Sequence, residues 1–130
     1  MDKIIKIAAG LFAVVVIAGL AAILLGAPQQ VTPASPPVIY YFWGDGCPHC
    51  AHLEPFIENI TREYPDANIQ VLEVWKNQTN QAIYAQANAA AGVTTPGVPE
   101  VVYGKVVLMG EEQIPANMEA VIQDYLKKKQ

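Results

Sequence analysis

Two cysteines, Cys47 and Cys50, stand three residues apart with Pro48 and His49 between them, and the chain has no others. Such a pair can cycle between dithiol and disulfide: one thiolate attacks a sulfur, a mixed disulfide forms, and the second thiol resolves it. The setting decides whether it does. Val38–Trp43 (VIYYFW) is a β-branched and aromatic run that predicts a buried strand, and Gly44-Asp45-Gly46 ends it. Pro48 suits the first turn of a helix. Cys47 is therefore expected at the positive end of a helix, where backbone N–H groups favour the thiolate and make it the nucleophile. Cys50, one turn further in, is expected to be more buried and to serve as the resolving thiol. His49 offers a donor or a positive charge beside the thiolate, which would make the pair more oxidising.

Two simpler readings compete. A purely structural disulfide is a poor use of this spacing, because closing so short a loop removes little chain entropy. A metal site would join Cys47 and Cys50 to His49 or His52. No second cysteine pair follows, however, and both histidines fall on the same short helix, so four ligands do not converge within one chain. The expectation is no metal and no cofactor other than a redox-active Cys47–Cys50 disulfide. Asp45 reads as a loop cap, His52 as a solvated residue, and Trp43 and Trp75 as core or near-site packing, with Trp43 flanking the active surface.

These residues need elements to position them. A helix is predicted from about Pro48 to Tyr64, with Leu53, Phe56, Ile57 and Ile60 at helical spacing and a kink at Pro55. Asn68–Trp75 alternates as a strand, and Asn77–Ala91 is helical and stopped by Gly92. Glu100–Tyr103 and Val106–Met109 read as a hairpin through Gly104-Lys105, with glycine where a type II′ turn needs it. A last helix is predicted from about Ala116 to Lys128. The order is βαβαββα, an α/β domain.

The segment from Phe42 to Cys50, followed by Pro55, resembles the active-site segment of the thioredoxin superfamily, and its Pro48-His49 dipeptide resembles that of DsbA-type disulfide oxidases. Gly97-Val98-Pro99-Glu100 is similar to the family's cis-proline segment. The resemblance covers about 38–130. It implies a mixed four-stranded sheet with flanking helices, a cis Val98–Pro99 bond against the cysteines, and a substrate surface that includes Trp43, Val98 and Pro99. Two departures stand out. Many thioredoxins carry a buried acid six residues before the first cysteine, and here that position is Tyr41. The chain also lacks the length for the helical insertion of a full DsbA, leaving a glutaredoxin-sized core.

The first fifth of the chain fixes the compartment. Ile7–Ala27 is an uncharged run of 21 residues in a 130-residue protein that is 52% hydrophobic and 15% charged, with mean hydropathy +0.22. As a helix it spans the roughly 30 Å hydrocarbon core of a bilayer. It is longer than a cleavable signal's apolar region, so residues 1–27 read as a signal anchor and 28–37, with four prolines, as a stiff linker to a domain at 38–130. Lys3 and Lys6 precede the run and the next basic residue is Arg62, which puts the N-terminus in the cytoplasm and the redox domain outside it. Six basic and eleven acidic residues beyond Ala27 give that domain a charge of −5, the wrong sign for nucleic acid.

The function expected is a protein thiol–disulfide oxidoreductase, anchored as a single-pass membrane protein and recycled by a membrane or soluble redox partner. The alternative is a non-enzymatic membrane-tethered module, metal-handling or adaptor, on the same fold.

Overall fold

The computed structural model describes residues 37–130. The expected membrane helix, and the linker as far as residue 36, lie outside the described residues. Among the described residues no helix is long and apolar enough to cross a membrane.

Seven elements follow in the order β1 (Ile39–Trp43), α1 (Pro48–Glu63), β2 (Ile69–Glu73), α2 (Gln78–Ala91), β3 (Glu100–Tyr103), β4 (Val106–Met109) and α3 (Gly110–Lys129). The strands form one mixed sheet ordered β2-β1-β3-β4. β1 pairs in parallel with β2 and antiparallel with β3, and β3 turns back onto β4. β1 is thus central, as its unbroken apolar run predicts.

Side-chain alternation along β1 sends successive residues to opposite faces. Ile39 and Tyr41 join Val101 and Leu108 in the larger core, covered by Leu53, Ile57 and Ile60 of α1 and Ile114, Met118 and Ile122 of α3. Phe42 and Val102 build the smaller core on the opposite face, against Ile83, Tyr84 and Ala87 of α2. There the Phe42 and Tyr84 rings meet edge to face, 4.9 Å between centroids.

Two predicted boundaries shift by more than a residue, while α1 runs through Pro55 as expected. The second strand is shorter than 68–75, because Glu73 turns the chain by accepting hydrogen bonds from the backbone N–H groups of Trp75, Lys76 and Asn77. α1 continues through Pro55, whose missing N–H frees a carbonyl at Ala51; both residues are exposed, so water can satisfy it.

The largest correction concerns α3, which begins at Gly110 rather than near Ala116 and contains Pro115. A proline so near the N-terminus costs only one hydrogen bond. The added turn is offset by Glu111 and Glu112 at the positive helix end, by Gln113 Oε1 accepting from Met109 N–H at 3.1 Å, and by Ile114, which is fully buried. This extra turn brings Glu111 to His49 and His52.

Candidate active site

Gly46, at φ +91°, makes the turn that leaves β1 and delivers Cys47 to the start of α1. Cys47 is the N-cap: its backbone is extended, and its Sγ accepts from the Cys50 N–H at 3.1 Å. That place usually belongs to an oxygen of Ser, Thr, Asp or Asn. Pro48 follows at the position where no N–H is missed, and the first turn of α1 holds no acidic residue to compete for the helix's positive end.

Cys47 and Cys50 are joined as a disulfide with Cα atoms 5.3 Å apart. Both are 5% exposed, so Cys50 is no deeper than Cys47, contrary to expectation. The capping contact folds the Cys47 side chain back over the helix start, and the residue is as enclosed as Cys50.

The loop before Cys47 is braced from β2. Glu73 Oε1 accepts from the Asp45 N–H at 3.2 Å, while Lys76 forms an ion pair with the Asp45 carboxylate. Partial desolvation pushes the Glu73 carboxyl up, but the N–H groups of Lys76, Asp45, Trp75 and Asn77 outweigh it and hold the group below its ordinary range. Asp45 is therefore half of an interloop ion pair as well as a turn residue. Trp75 is 53% exposed and lies over Gly44, so it belongs to the rim of the site and not to the core.

His49 and His52 converge on one residue that the sequence reading did not single out. Glu111 Oε2 lies 3.0 Å from His49 Nδ1, and Glu111 Oε1 lies 2.6 Å from His52 Nδ1. The hydrogen bonds from His49 and then His52 hold the Glu111 carboxyl below its ordinary range. The i, i+3 spacing of the histidines was the available signal, since it places both on one face of α1. His52 is solvent-exposed as expected, yet it is partnered.

The Val98–Pro99 peptide bond is cis. Pro99 is buried, and its carbonyl accepts from Gly110 N–H at 3.0 Å, tying the β3 entry to the start of α3. His49, Val98, Pro99 and Glu111 line one cleft of about 370 Å³. Trp43, Cys47, Pro48 and Cys50 line a second depression of about 560 Å³. The expected substrate residues are thus divided: Trp43 shares a depression with both cysteines, and Val98 and Pro99 line a cleft with His49 that neither cysteine lines.

Tyr41, where an acid is common, is buried with its hydroxyl lacking a partner among the described residues, and burial followed by the charge of Glu54 pushes it up to about 12. It stays a neutral phenol in the range where thiols titrate. A buried carboxyl does exist, at Glu100 on the opposite sheet face, where Oε2 accepts from Asn88 Nδ2 at 2.8 Å. Burial pushes it up, partly opposed by that hydrogen bond.

A mixed four-stranded sheet with a disulfide capping the helix after its central strand defines a thioredoxin-like α/β protein. The family model described as Thioredoxin matches residues 28–126, and the chain belongs to that family. The match begins within the stretch read as linker. No curated protein matches the chain.

Proposed function

We propose that this protein is a thiol–disulfide oxidoreductase acting on extracytoplasmic protein thiols and disulfides, with Cys47 as nucleophile and Cys50 as resolving thiol. The observation that carries the reading is the capping contact. A sulfur that accepts the Cys50 N–H at the start of α1 is placed where a helix stabilises negative charge.

In the reducing direction, the Cys47 thiolate attacks one sulfur of a substrate disulfide, and the other substrate sulfur leaves as a thiolate. Cys50 then gives up its proton and attacks Cys47 Sγ. The second substrate sulfur is released, and Cys47–Cys50 closes as a disulfide after two electrons have passed to the substrate. Oxidation of a substrate dithiol runs the same steps backwards. The Pro48-His49 dipeptide supports the oxidising direction by likeness to DsbA-type sites, and the reduction potential sets it. With Tyr41 in place of an acid, the Cys50 proton passes to solvent, which favours a dedicated exchange role over fast general reduction.

Val98 offers backbone to the substrate beside Pro99, and Trp43 flanks the depression that both cysteines line. The apolar run over residues 7–27 and the lysines before it support a single-pass anchor with the N-terminus in the cytoplasm. A membrane or soluble redox partner then restores the working state of the pair. The test is trapping. A Cys50→Ala variant should accumulate mixed disulfides through Cys47 with protein substrates, and a Cys47→Ala variant should accumulate none. Equal trapping by both, or by neither, would sink the assignment.

A further inference from the structure

Of the two depressions, the larger is lined by both cysteines, by α1 as far as Thr61 and by Val71 of β2. Its walls are mostly apolar and include Trp43 and Val71, with Tyr41, Glu54 and Glu58 also lining it. Glu54 and Glu58 stand one turn apart on α1, both exposed, and neither forms an ion pair among the described residues. Among the described residues no basic side chain lines the cavity. Asp45, at its edge, is already engaged by Lys76. Tyr41 is 2% exposed, and its hydroxyl has no partner among the described residues. An apolar wall, two carboxylates without an ion-pair partner among the described residues and the buried Tyr41 therefore line one depression together with both cysteines.

We propose that this cavity is a specificity pocket for a lysine or arginine side chain carried by the substrate polypeptide next to its reacting cysteine. The aliphatic stem of such a residue would lie along Trp43 and Val71 while its cationic head reaches Glu54 and Glu58, the usual division for a long basic side chain. The other flank of the substrate would occupy the cleft at Val98 and Pro99. The inference rests on the oxidoreductase reading, because the pocket matters only when Cys47 meets a substrate sulfur.

The test uses the full chain carrying Cys50→Ala and short peptides whose single cysteine is a mixed disulfide with thionitrobenzoate. The Cys47 thiolate attacks the peptide sulfur, a Cys47–peptide disulfide forms, and thionitrobenzoate leaves as a coloured anion. The peptides differ only in having lysine, norleucine or glutamate within two residues of the cysteine. Two partly exposed ion pairs predict release about tenfold faster with lysine than with glutamate at low salt, equivalent to about 1.4 kcal/mol. Norleucine should fall between, and the gap should narrow as salt rises. Adding Glu54→Gln and Glu58→Gln should reduce the gap to about twofold or less.

Equal rates, or a gap that survives both substitutions, would overturn the proposal. So would inhibition of all peptides alike by free butylamine, which would assign the cavity to a small amine. No anion release from any peptide would overturn the oxidoreductase reading itself, an outcome distinct from equal release.

Discussion

Glu100→Gln should stabilise the protein at alkaline pH and flatten its pH dependence. Glu100 is fully buried directly after Pro99, and only its Oε2 has a partner, the Asn88 amide. Its Oε1 and Asn88 Oδ1 are both buried acceptors without a donor among the described residues. Protonation of Glu100 supplies the missing donor, and glutamine supplies it permanently. Burial raises the folded-state pKa, so the folded protein holds this proton more tightly than the unfolded chain. The resulting stability is fully present below the unfolded value of about 4.3 and is lost as pH rises through the folded value. Between those limits the wild type should lose stability relative to the variant with a slope approaching about 1.4 kcal/mol per pH unit. Urea unfolding midpoints for both proteins from about pH 4 to pH 8 measure this. The variant should be more stable at the upper end, with Asn88 satisfied on both sides. Parallel curves, or a wild type that remains the more stable at pH 8, would refute the argument.

Other outcomes follow from single contacts. Glu111→Gln removes the carboxylate shared by His49 and His52. Because those hydrogen bonds lower the Glu111 pKa, the stability they contribute is present above about pH 4.3 and lost as pH falls through the lowered value, so wild type and variant should converge in acid. Met118→Ala empties a fully buried site between α3 and the sheet and should cost about 2–5 kcal/mol in urea unfolding. In Gly44→Ala the new Cβ would stand 2.2 Å from Trp75 Cδ2. The half-exposed indole should swing away at a cost of about 1 kcal/mol, at the low end for overpacking, with a change in tryptophan fluorescence that an unmoved ring would not give.

Features set by a few adjacent residues were legible in the sequence. The apolar run at 39–43, the glycine turn and Pro48 together place Cys47 at a helix start, and Asn77 and Gly92 bracket α2 as its N-cap and left-handed C-cap. What could not be read depends on contacts across the chain. Pro115 reads as a helix boundary because it forbids one local bond, yet burial of Ile114 and the Gln113 contact override it. With that turn unrecognised, nothing brings Glu111 to histidines some sixty residues away. Glu73 presents as a strand residue, and only the fold shows it bracing Asp45. Glu100 and Asn88, twelve residues apart, meet because α2 lies across the face to which Glu100 points. The equal burial of the two cysteines goes with the capping contact of the Cys47 side chain, which spacing does not encode.

The central claim is that the start of α1 stabilises the Cys47 thiolate. The direct measurement is the pH dependence of iodoacetamide alkylation at each cysteine of the reduced protein, resolved by peptide mapping. Cys47 should react first, with an apparent pKa well below the value of about 8.5 for a free cysteine. A Cys47 pKa at or above that value, or faster alkylation of Cys50, would contradict the account.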